Sequence, residues 1–111
     1  MGVVANGKGK NMNLAAVAAQ LSDGWKGRVL ADFGCVRMKL FKADAVGLAE
    51  EMHSDWDEAI LMLEGELVLE LDQVPMHLKA GDFHLIPRGV RHSILPGCRG
   101  SFILLDPEPL A

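Results

Sequence analysis

The sequence predicts an all-β chain, a small antiparallel β-barrel or jelly roll with one short helix near the N-terminus. Two observations carry this. Beyond Gly24 the apolar residues fall into short runs, many of them alternating, separated by turn-forming residues. Only one stretch, before that point, has helical periodicity. The 111 residues are 50% apolar and 23% charged, which fits one globular domain with one core.

Taken in order, residues 1–12 carry Gly, Asn and Lys without periodicity and read as a loose, flexible arm. Asn13 is a suitable N-cap. Leu14, Val17, Ala18 and Leu21 then follow at i, i+3, i+4 and i+7, one apolar helical stripe that Asp23-Gly24 should end. Val29–Leu30 is a weak strand. From Cys35 to Phe41, Cys35, Arg37, Lys39 and Phe41 alternate with Val36, Met38 and Leu40, the pattern of a half-buried strand. Glu58–Glu64 is apolar on both faces, and Glu64-Gly65-Glu66 reads as a tight turn. Leu67, Leu69 and Leu71 alternate with Val68 and Glu70. Val74–Leu78, Phe83–Ile86 and Phe102–Leu105 complete the strands. The barrel domain is expected to span 13–106, with 107–111 as a short tail marked by Pro107 and Pro109.

Several function classes are disfavoured. The net charge is -4 with no basic cluster, a poor match to nucleic acid or an anionic membrane. No apolar run, Ala59 to Leu63 included, is long enough to span a bilayer. The N-terminal residues lack the apolar core of a signal peptide. Two cysteines, Cys35 and Cys98, do not make a disulfide scaffold and are expected as buried thiols. A cytoplasmic protein is the expectation.

Four residues with metal-binding chemistry can meet. Glu51 and His53 are two apart, so an extended strand points both to one face. Ser54-Asp55-Trp56-Asp57 is turn-like, and Glu58 opens a strand that can run back beside His53. Gly81-Asp82 opens a strand that stops at Pro87-Arg88-Gly89, and His92 follows that turn. Two imidazoles suit Zn, Ni, Fe or Mn, and the carboxylates favour the harder ions among them.

At these residues the chain resembles the cupin superfamily. Glu51-Met52-His53, four residues, Glu58, six residues and Gly65 are similar to its first motif. Gly81, Pro87, Gly89 and His92 fall at the spacings of its second, fifteen residues later. Asn13-Leu14 and the final Phe102–Pro107 segment are similar to the small single-domain cupins labelled mannose-6-phosphate-isomerase-like. Three positions depart from the pattern. Glu51 stands where the family's first metal histidine is expected, Pro96 replaces a final Asn, and Ala45 replaces an opening Gly. The resemblance implies metal ligation by His53, Glu58 and His92, a two-histidine, one-carboxylate set. Glu51 is then a fourth ligand or a nearby catalytic base. Two carboxylates on a divalent ion make a formally neutral centre, which attracts anions less than a three-histidine site. The other reading of the cluster is a barrel without metal, whose polar residues pair with one another and with water.

Other residues have plainer expected roles. His77 should face solvent, and His84 reads as an ordinary strand histidine. Arg88 and Arg91 flank the second turn and read as solvated, although they could hold a carboxylate or phosphate. Trp56 caps a pocket or fills an interface. Ile60 and Met62 share the parity of Glu58, so both should line a partly apolar cavity for a small organic ligand. The functions left open are metal-dependent isomerase or lyase chemistry, iron-dependent dioxygenase chemistry, and non-catalytic ligand binding or sensing. Because Glu58–Glu64 is apolar on both faces, a homodimer is expected.

Overall fold

A computed structural model describes residues 3–6, 8–22 and 25–109. Its strands are β1 (Val3–Asn6), β2 (Gly9–Met12), β3 (Gly27–Asp32), β4 (Arg37–Lys42), β5 (Leu48–Glu51), β6 (Glu58–Leu71), β7 (Val74–Lys79), β8 (Phe83–Ile86), β9 (His92–Ile94) and β10 (Arg99–Asp106). One helix, α1 (Leu14–Ala19), lies between β2 and β3. Strands β3 to β10 form one antiparallel sheet, in the order β3-β4-β10-β6-β9-β5, with β7 and β8 also on β6, and the sheet curls into a half-barrel.

The 14-residue β6 is the spine. One of its edges carries β8 and then β7; the other carries β10 and then β9. Glu64-Gly65-Glu66 is therefore not a turn, contrary to the sequence expectation. Gly65 has φ +74° and pairs with Gly100 at φ +100°. A Cβ on Gly65 would sit 2.2 Å from the Arg99 carbonyl oxygen, and one on Gly100 2.0 Å from that of Glu64. Two facing glycines let the backbones approach closely, and β6 continues past a register shift in β10. The glycine signal belongs to close approach rather than to chain reversal.

Residues in the expected loose arm form the β1–β2 hairpin, which is outside the main sheet. Backbone pairing needs no apolar alternation, so the composition gave no sign of it. Met12 then packs against the helix-side core. Asn13 caps α1 by accepting the Ala16 N–H at 2.9 Å, and the helix ends at Ala19. The expected terminator Asp23-Gly24 lies outside the described residues, as does the end of the tail at 110–111.

Alternation along β4, β6 and β10 separates two cores. Leu40 and Ile103 face outward and are covered by Val17 and Ala18 of α1. Ile60, Met62, Leu67, Leu69 and Phe102 face inward. Covering of the outer face by the chain's own helix explains how β6 is apolar on both sides. The inward parity of β4 and β10 also carries Lys39 and Asp106, both 3% exposed. Cys98 is buried as expected, but Cys35 is exposed in the loop before β4, so the expectation of two buried thiols fails for Cys35.

Candidate metal centre

Glu51 is the last residue of β5 and pairs with His92, the first residue of β9. Glu58 opens β6 opposite Ile86 at the end of β8. His53 does not share a strand with Glu51, as the two-residue spacing suggested; it lies in the loop between β5 and β6. That loop is tied down at both ends. The Gly89 N–H donates to the His53 carbonyl at 2.7 Å, and the Arg88 N–H donates to Asp57 Oδ1 at 2.9 Å. The His53 ring stacks on Trp56 at 4.9 Å, so Trp56 holds the imidazole in place. The two turns singled out in the sequence thus form one rim.

The four side chains converge. His53 Nε2 lies 3.1 Å from Glu58 Oε2 and 3.7 Å from Glu51 Oε1. His92 Nε2 lies 3.5 Å from Glu51 Oε1 and 3.7 Å from Glu58 Oε1. One donor atom from each residue can be chosen so that all lie within 4.8 Å of one another. Donors bound at about 2.1 Å to one ion lie roughly 3–3.5 Å from their neighbours, so the spacing fits. His92 fits best. It is 5% exposed, its Nδ1 faces the Val90 carbonyl at 3.0 Å, and its Nε2 is buried with no hydrogen-bond partner. With Nδ1 donating to that carbonyl, Nε2 is the nitrogen turned to the carboxylates, where it would give its lone pair to a bound ion.

Beneath Glu58 lies a pair that the sequence reading missed. The Lys39 ammonium donates to Asp106 Oδ1 and, at 2.9 Å, to the Glu108 carbonyl. The Glu108 N–H donates to the same Asp106 oxygen at 2.9 Å. Lys39 shares the parity of Phe41, an inward aromatic, but alternation alone does not say which face of β4 is covered. Once Glu58 gives up its proton, Glu51, Glu58 and Asp106 set against Lys39 leave two excess negative charges on the inner face. A divalent cation would balance them.

Charge sharing shows in the titration of the cluster. Burial, followed by the Asp106 carboxylate, raises the Glu58 carboxyl to about 8. Contact with Glu51 raises His92 above 6.5 against the opposing effect of burial. Contact with His92 lowers Glu51 below 4.5, again against burial.

A cavity of about 50 Å³ adjoins the cluster, with Glu51, Glu58 and His92 in its wall. Trp25, Phe41, Ile60, Leu69, Phe102 and Leu104 make much of the apolar lining. Met62, expected there, packs in the core and is not part of that lining. Trp25, absent from the sequence reading, sits at φ +62°, its indole N–H donating to the Gly47 carbonyl at 2.9 Å. Phe41 stacks on Phe102 at 5.7 Å.

The remaining candidates lie elsewhere. His77 is exposed and bonds Glu66 at 2.7 Å. His84 pairs with Ile60 in register and is not one of the four converging residues. Arg88 and Arg91 are exposed and pair with Asp57 and Glu50. Among the described residues no helix is long and apolar enough to cross a membrane.

Comparison with known proteins agrees with this architecture. The Cupin domain family model matches residues 39–98. The uncharacterized protein YdbB of Bacillus subtilis (strain 168) is 33% identical over 86 residues, 75% of this chain and 74% of that protein. A cupin-2 domain containing protein from Shewanella frigidimarina has a TM-score of 0.78 at 25% identity, over 87% of this chain and 94% of that one. A cupin superfamily protein from Desulfitobacterium hafniense has a TM-score of 0.73 at 24% identity, over 89% and 91%. With its half-barrel, its two rim turns and a family match that spans the whole His/Glu cluster, the chain belongs to the cupin family.

Proposed function

We propose that this cupin holds a divalent transition metal through His53, Glu58 and His92, with Glu51 as a fourth, more exposed ligand or a base. We further propose that it acts on a small organic molecule in the adjoining cavity. The observation that carries this reading is the buried Nε2 of His92, which makes no hydrogen bond and lies 3.5 and 3.7 Å from oxygens of two carboxylates. The ion, when bound, would polarise an oxygen of the ligand. Glu51, with its side chain 52% exposed and its carboxylate at the cavity wall, is the group placed to exchange a proton with that ligand. Proton transfer of this kind belongs to isomerase or lyase chemistry.

Protein purified without added metal or chelator should carry one transition metal ion per chain by elemental analysis. Affinity should rise from pH 6 to 8, because Glu58 and His92 must release protons to bind it. The metal-free protein should behave in the opposite sense. Between 4.5 and about 8 folded Glu58 binds more protons than the unfolded chain, so stability falls as pH rises. His92 adds to that fall above 6.5, and Glu51 opposes it only below 4.5. Thermal melts with and without metal at several pH values would read both slopes. An empty protein that gains no stability from any of the four metals would overturn the metal reading and leave a binding module.

We also propose a homodimer, for a reason different from the apolar faces of β6. Phe83 and Leu85 of β8 are exposed beside an edge that no other strand covers among the described residues. A second copy would cover both the apolar side chains and the open edge. Light scattering should give a mass near twice 12.0 kDa; a monomer at micromolar concentration counts against it.

A further inference from the structure

We infer that the site selects an uncharged ligand, a small molecule with an oxygen-donor head and a short apolar tail, and rejects phosphorylated or carboxylate-tailed ones. The inference rests on the metal reading above and deepens it.

Three observations converge. First, the charges already balance. A divalent ion cancels the two excess negative charges of Glu51, Glu58 and Asp106 against Lys39, so nothing is left to attract an anion. Second, the cavity lining contains no Lys or Arg. Lys39 is occupied by Asp106 and the Glu108 carbonyl, and Arg88 and Arg91 lie at the exposed rim on Asp57 and Glu50. An anionic tail in the cavity would be buried against Trp25, Phe41, Ile94 and Phe102 without a partner, a costly placement. Third, the space is short. One water needs about 10–15 Å³ of such volume, so a cavity of about 50 Å³ takes a handful of heavy atoms. A two- or three-carbon tail fits; a hexose phosphate does not.

Matched hydroxamates isolate the effect, because both present the same metal-binding head. Butyrohydroxamic acid has an uncharged propyl tail; succinomonohydroxamic acid replaces its methyl end with a carboxylate. Binding to metal-loaded protein can be followed by calorimetry of the unaltered protein. The compound with the uncharged propyl tail should bind about tenfold tighter or better. Leu48→Arg, at the partly exposed edge of the cavity, supplies the missing cation and should narrow or invert that ratio. Equal or tighter binding of the carboxylate compound by the unaltered protein would overturn the inference and leave the metal reading standing. So would failure of both compounds on protein shown to hold metal. Protein that takes up no metal overturns the metal reading, and the ligand inference falls with it.

Discussion

Lys39→Met should destabilise the protein by about 3–5 kcal/mol, among the largest effects available in this chain. The substitution keeps a long apolar stem and removes only the ammonium. Asp106, 3% exposed, then loses its cation while Glu58 remains beside it. A buried carboxylate without a counter-charge cannot be solvated, so folding must either tolerate the charge or take up a proton. A loss of this size corresponds to a fall in Tm on the order of 12–20 °C for a domain of this length. The double variant Lys39→Met/Asp106→Leu should recover much of it, because apolar replacement of a whole buried pair is often neutral. Urea denaturation of both variants and the parent measures the two steps. A single variant within about 1 kcal/mol of the parent would show that water reaches Asp106, and the excess-charge argument for a cation would lose its basis.

Most of the main-sheet strands and the convergence of four residues were legible because both depend on local pattern. Parity along β6 puts Glu58 on the face of Ile60, and the turn residues around Pro87 and Gly89 return the chain so that His92 meets Glu51. What was not legible depends on what lies above a residue. Lys39 alternates with Leu40 as a surface lysine would, and only the curl of the sheet, with Asp106 on the neighbouring strand β10, makes its face interior. Gly65 looks the same in a sequence whether it reverses a chain or admits a neighbouring backbone; Gly100, 35 residues later, decides it. Trp25 takes its place from the Gly47 carbonyl and from Phe102, neither of which is a local neighbour. The β1–β2 hairpin is held by backbone pairing that composition does not encode. Cys35 continues the alternation of β4 on paper, but the strand begins at Arg37 and the thiol is left outside.

His92→Ala should remove most of the metal, weakening binding by at least about a hundredfold, since loss of even an outer-sphere partner costs 10–100-fold. His92 is the deepest imidazole of the cluster and is already oriented by the Val90 carbonyl, so its contribution needs little reorganisation on binding. Glu51→Ala should cost less, because Glu51 is half out in solvent and must lose side-chain freedom to reach an ion. Glu51→His tests the departure from the family pattern directly. It exchanges an oxygen donor for a nitrogen donor, shifting preference toward zinc and nickel, and gives a divalent centre a net positive charge in place of a neutral one. Metal content and affinity of the three variants at matched pH separate the alternatives. Equal metal in the parent and His92→Ala would show that the ion sits elsewhere. An empty parent beside a zinc-loaded Glu51→His would mean that the carboxylate at position 51 prevents stable loading: paired with His92, it keeps both groups charged, and an ion must break that pair before it can bind. In that case the cluster is a hydrogen-bonded and ion-paired end of a ligand pocket, and its chemistry is recognition rather than catalysis.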